Sequence, residues 1–130
     1  MREIQEYFDK IKLKLMESEF IESFQVRNER IIITDGYIKI RGRLINGDII
    51  ELSEYCRYNK RIITQEYTFH WQDSTGKLIM RWDNANHHPE IKNFPHHVHI
   101  KEESNILPSN CESQQTVALL EKLNQLYFER

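Results

Sequence analysis

The 130-residue sequence contains only three prolines, four glycines and two cysteines. With so few breakers, most of the chain must lie in regular elements joined by short connections. Cys56 and Cys111 stand far apart and in no paired spacing, which excludes a disulfide-rich scaffold. Both are expected as thiols in a reducing compartment, with a bridge between them the rarer arrangement. No apolar run approaches the roughly 20 residues of a membrane span. The start, Met1-Arg2-Glu3-Ile4, is charged where a secretory leader would be apolar. A cytoplasmic protein with no membrane partner is the expectation. A formal charge of −2 argues against a surface coated in positive charge, although it leaves room for a local basic face. There is no glycine-rich phosphate loop, which speaks against a nucleoside triphosphatase. The chain does have 39% hydrophobic and 29% charged residues, the balance of one soluble domain spanning 1–130.

Histidine is unevenly spread. Five of the six histidines fall between Asp83 and His99: His87, His88, His96, His97 and His99. Each imidazole needs a polar partner when buried, so core packing does not explain the cluster. Histidine can accept a proton, release one, or hold a metal near neutral pH.

Periodicity gives the architecture. Ile4, Phe8, Ile11 and Leu15 share one helical face, predicting a helix over about 2–17. From Phe20 the period becomes two, and an antiparallel meander is expected over about 20–83. Its first strand is Phe20 to Val26. A second joins Ile31-Ile32-Ile33 to Tyr37–Leu44, with Asp35-Gly36 as a break or bulge. Asn46-Gly47 predicts a hairpin with a type I′ turn. Strands then follow over 49–58, 61–72 and 77–82, with turns at Asn59-Lys60 and Asp73–Gly76. Pro89 and Pro95 oppose a continuous helix through the histidines. A histidine-rich loop and a short strand are expected over about 83–101, and residues 101–110 read as a polar loop. Val117, Leu120, Leu123 and Tyr127, flanked by Leu119 and Leu126, predict a closing helix over about 113–128. The fold class is α+β: one antiparallel sheet of five to six strands, flanked by the two helices.

Alternation assigns faces. Ile38, Ile40 and Leu44 should meet the helices, leaving Tyr37, Lys39, Arg41 and Arg43 on the open face. With Arg57 these cations are the candidate RNA-binding set, although a solvated strand face is the plainer reading. Tyr67, Phe69 and Trp71 share one face, His70 lies on the other, and Arg81 shares a face with Asp83. Core packing is expected for Trp71 and Trp82. These residue types fit cleavage of an RNA phosphodiester. That reaction needs a base, an acid and cations around phosphate, and it requires no metal. Exposed aromatics could stack unpaired bases. A metal site is the second reading: His97 and His99 point to one side of an extended segment, and His87, His88 and Asp83 could complete a zinc shell. No His-Glu-x-x-His or Cys-x-x-Cys spacing supports it. In the third reading the histidines are solvated or structural, and Asp83 or Asn84 simply turns the chain.

The runs Tyr67-x-Phe69-His70-Trp71-Gln72-Asp73, Gly76-Lys77-Leu78-Ile79-x-Arg81-Trp82-Asp83-Asn84-Ala85-x-His87-His88-Pro89-Glu90 and Phe94-Pro95-His96-His97-x-His99 resemble the TumE-type toxin family of prokaryotic toxin–antitoxin pairs. The resemblance covers most of residues 20–100. It implies a toxin acting as a ribonuclease on an RNA substrate, and a cognate helix-turn-helix antitoxin as partner. The matching positions are His70, Arg81, Asp83, Asn84, His87, His88, His96, His97 and His99. One departure is Asn86, where the family commonly has proline, which should loosen the approach to His87.

The expectation is therefore a metal-independent, histidine-based ribonuclease without a cofactor. His88 and His97 are the acid–base pair, Arg81 and His70 lie near the phosphate, Asp83 orients a histidine, and His87 and His99 stand beside them. The alternative is a non-enzymatic RNA- or protein-binding module, with zinc on His87, His88, His97 and His99. A decayed toxin kept as an interaction protein is a third class. An exposed edge strand would also allow a homodimer.

Overall fold

The computed structural model describes residues 1–85, 95–108 and 116–129. Helix α1 (Arg2–Glu17) leads into seven strands: β1 (Ile21–Ile32), β2 (Asp35–Leu44), β3 (Ile49–Tyr58), β4 (Ile62–Gln72), β5 (Leu78–Asp83), β6 (His97–Ile100) and β7 (Ile106–Pro108). Helix α2 (Thr116–Phe128) follows. The strands form one antiparallel sheet in the order of the chain. The α+β class and the flanking helices are as expected, with seven strands in place of five or six.

The apolar stripe Ile4, Phe8, Ile11 and Leu15 of α1 is buried, together with Tyr7. It packs on Ile38, Ile40 and Leu44 of β2, Ile50 and Leu52 of β3, and Phe69 and Trp71 of β4. Trp82, Val98, Leu119, Leu120 and Leu123 extend the same core. Both tryptophans are inside, as alternation predicts. Lys14 joins the two helices through Glu121 at 3.3 Å.

Three boundaries depart from the sequence reading. Strand β1 runs on through Ile31 and Ile32, and the chain reverses at Ile33 and Thr34. Asp35 and Gly36 are thus ordinary paired residues of β2, not a break. A Cβ on Gly36 would meet Ile4 Cγ2 at 2.6 Å and Phe8 Cζ at 2.9 Å, so the missing side chain is what lets α1 lie on β2. The Asn46-Gly47 hairpin is not type I′, because Gly47 has positive φ (95°) and Asn46 does not. Instead Gly47 N–H donates to Leu44 O, Leu44 N–H to Asp48 O, and Asp48 N–H to the Asn46 side chain. This is a three-residue loop closed by a glycine bulge, and it keeps Leu44 and Ile50 on the inner face. Asp73–Gly76 repeats the device. The third departure is β7, a short edge strand inside the expected polar loop.

Among the described residues, the most deeply buried carboxylate is that of Glu54. It accepts from the Tyr7 hydroxyl (2.7 Å), Thr64 Oγ1 (3.1 Å), and the Thr116 amide (3.0 Å) and hydroxyl (2.8 Å). Glu54 thereby satisfies an orphan N–H at the start of α2 and ties both helices to the sheet. Burial nevertheless raises its pKa, and burial beside Glu54 raises that of Tyr7. Burial also pushes the free thiol of Cys56 up to about 12. Cys111 lies outside the described residues.

Candidate active site on the open sheet face

Strand register builds the site in two cross-strand rows. One runs Arg41, Glu51, His70, Arg81, His99 across β2 to β6. The next runs Lys39, Ser53, Thr68, Asp83, His97. Neighbours on one face of a strand are two residues apart, so both rows face away from the helices. Their β5 and β6 members form a compact cluster.

Asp83 is its centre. Its Oδ1 lies 2.8 Å from His97 Nε2 and accepts the Ala85 amide at 3.0 Å. Its Oδ2 accepts Arg81 Nε at 3.3 Å and lies 3.6 Å from His99 Nε2. Each ring is held from behind by a backbone carbonyl: His97 Nδ1 by Pro95 O at 2.9 Å, and His99 Nδ1 by Glu103 O at 2.8 Å. Asp83, His97 and His99 are only 6%, 2% and 4% exposed, which removes most of the water that would screen their charges. Burial lowers the pKa of His99, disfavouring its charged form. Arg81 is partly exposed, and Glu103 grips its guanidinium with two bonds, at 2.6 and 2.5 Å.

The other sequence candidates fall around this cluster. His70 is half-buried in the register position opposite Arg81, with Nε2 3.0 Å from Gln72 Oε1. His96 turns away, stacking on Tyr67 and meeting its hydroxyl at 3.1 Å. Burial, then His97, lowers its pKa. Asn84 pins the β4 backbone, accepting Tyr67 N–H and donating to Gln65 O. His87 and His88 lie outside the described residues.

The cations of the open face are largely engaged. Arg41 pairs with Glu51, Arg57 with Asp35 at 3.0 Å, and Arg43 approaches Glu22 at 3.9 Å. Arg57 and the Tyr55 hydroxyl hold the Asp35 carboxyl below its usual range. Among the described residues Lys39 has no ion pair. A groove of about 550 Å³ runs beside the cluster, lined by Tyr37, Ser53, Tyr55, Thr68, Asn84 and Pro95 among others. Sequence reasoning missed Glu103 and the Pro95 carbonyl. Neither carries a sequence signal, because both reach the site through turns whose geometry only the fold sets.

A small α+β domain with an Asp–His–His cluster on its open sheet face is the class these observations define. The family described as Toxin TumE matches residues 10–126, and the chain belongs to that family. Membership makes it a toxin of the toxin–antitoxin kind and implies an antitoxin partner. No curated protein and no solved structure matches the chain. No helix among the described residues is long and apolar enough to cross a membrane.

Proposed function

We propose that this toxin cleaves RNA on the open sheet face, at the cluster of Asp83, His97, His99 and Arg81, with His70 beside it. The observation that carries this reading is the continuity of cluster and groove: Thr68 lines the groove and is the register partner of Asp83. Tyr37 and Tyr55 in that groove offer faces on which an unpaired base can stack. A phosphate beside such a base would reach Arg81, the bidentate cation of the site. His70 suits proton transfer better than His97, because both ring nitrogens of His97 are directed at protein atoms, Pro95 O and Asp83. The sequence-based partner for His97, His88, lies outside the described residues. The antitoxin expected on this reading is a helix-turn-helix protein.

The test is cleavage of single-stranded RNA by tag-free protein, with RNA ends mapped after induction in cells. Cleavage should fall at least about 100-fold in Arg81→Gln and His70→Gln, the scale of lost acid–base or electrostatic catalysis. The reading fails if folded wild type leaves RNA intact in both settings, or if both variants match it. A second reading, an RNA- or protein-binding module without chemistry, is favoured by the burial of the Asp–His–His cluster. Tight RNA binding without cleavage would select it.

A further inference from the structure

We infer that Asp83, His97 and His99 hold one divalent transition-metal ion, zinc being the first candidate, in place of the metal-free chemistry the sequence suggests. The inference deepens the ribonuclease reading, since it assigns the cation of that same site.

The tautomers point to it. A carbonyl oxygen only accepts, so Nδ1 of each ring carries the hydrogen shared with Pro95 O or Glu103 O. In the neutral rings Nε2 is then a lone pair. Both lone pairs converge on a carboxylate, at 2.8 and 3.6 Å, and the three donor atoms lie within 4.8 Å of one another. A proton can bridge one ring and the carboxylate; a metal ion takes both rings and the carboxylate together. Zinc bonds of about 2.0–2.1 Å need only a small adjustment from such spacings. Two imidazoles and a carboxylate are a donor set of catalytic zinc sites, which keep a position for water. The outer atoms are also fixed as in metal centres. Ring N–H groups donate to carbonyls, while the Ala85 amide and Arg81 orient Asp83. A bound ion would acidify a coordinated water and polarise a phosphoryl oxygen.

The experiment uses tag-free, chelator-stripped full-length protein titrated with Zn²⁺ and Co²⁺. One equivalent should bind, and Co²⁺ should show the visible absorption of a nitrogen–oxygen site. His97→Ala, His99→Ala and Asp83→Asn should each weaken zinc by at least about 100-fold, at or beyond the upper end of what an outer partner costs. His96→Ala should leave it unchanged. Should the buried variants unfold, nitrogen NMR of folded wild type decides: zinc should move the Nε2 signals of His97 and His99 while Nδ1 stays protonated. Unmoved Nε2 signals overturn the inference. So does zinc that survives His97→Ala and His99→Ala but leaves on joint His87→Ala and His88→Ala. Zinc bound by the cluster with RNA left intact would keep the metal site and sink the ribonuclease reading. Cleavage undiminished by chelator in zinc-free protein would do the reverse.

Discussion

Asp83 and His97 face each other across β5 and β6 as register partners, and the carboxylate reaches the ring at 2.8 Å. On the proposed reading the contact serves both the fold and the site. Asp83→Asn keeps the shape but presents weaker acceptors to Arg81 and the Ala85 amide. Loss of a buried charged acceptor should cost about 1–3 kcal/mol in denaturant unfolding. RNA cleavage should fall further than that fraction of unfolded protein explains. Equal loss of stability and activity would reduce Asp83 to a scaffold residue.

Glu54 gives a pH signature away from the site. It is faced by Tyr7 from α1, Cys56 on its own strand, Thr64 from β4 and Thr116 from α2. Burial raises its pKa above the ordinary 4.5, and the hydrogen bonds it accepts offset only part of that. The folded state therefore binds the proton more tightly than the unfolded chain. Its contribution to stability is greatest below the ordinary carboxyl range and declines as pH rises towards the folded pKa, where it levels off. Glu54→Gln keeps acceptors for Tyr7 and Thr116 and an amide for Thr64 Oγ1. The difference between wild type and Glu54→Gln should favour the variant increasingly as pH rises. Glu54→Ala should instead lose about 1–3 kcal/mol for each buried donor left unpaired. A flat difference between wild type and Glu54→Gln would refute the assignment.

Gly36 is set by space, since its φ is not in the left-handed region. Gly36→Ala should cost about 1–3 kcal/mol, the usual range for overpacking. The nearest atom is Ile4 Cγ2, which Ile4→Ala removes. The double variant should therefore cost less than the sum of the two singles. Strict additivity, measured by thermal or denaturant unfolding, would mean the helix moves aside freely.

How far the sequence is legible follows from these same residues. Alternation alone places Ile38, Ile40, Trp71 and Trp82 inside, and Arg81 and Asp83 on one face. It also aligns His97 with His99. The reversal after Ile32 was hidden, because Ile33 takes positive φ (56°) with no turn residue to announce it. At the Asn-Gly hairpin one residue of loop length decides whether Arg41 meets Glu51 or Leu52, and dipeptide chemistry does not carry that count. The pairing that neutralises the basic face depends on it. The histidine cluster was visible as composition, but its anchoring was not. Which nitrogen faces Asp83 is fixed by the carbonyls of Pro95 and Glu103, and Glu103 arrives through a turn in which Lys101 takes positive φ (64°).

Glu103 supplies the last prediction. Its carboxylate occupies the Arg81 guanidinium with two bonds, yet it is 59% exposed while Arg81 is 25% exposed. A phosphate approaching Arg81 must compete with that charge. Glu103→Gln removes the charge and leaves the backbone carbonyl that holds His99. An exposed pair is worth roughly 0.2–1 kcal/mol, so affinity for a single-stranded oligoribonucleotide should rise about 1.5- to 5-fold. Its salt dependence should steepen by up to about one counterion. Arg81→Gln should lower affinity and flatten the salt slope, and Arg81→Lys should restore charge without the two-pronged geometry. Fluorescence anisotropy across a salt series reads all three. If Glu103→Gln and Arg81→Gln both bind as wild type does, RNA does not meet the protein at Arg81.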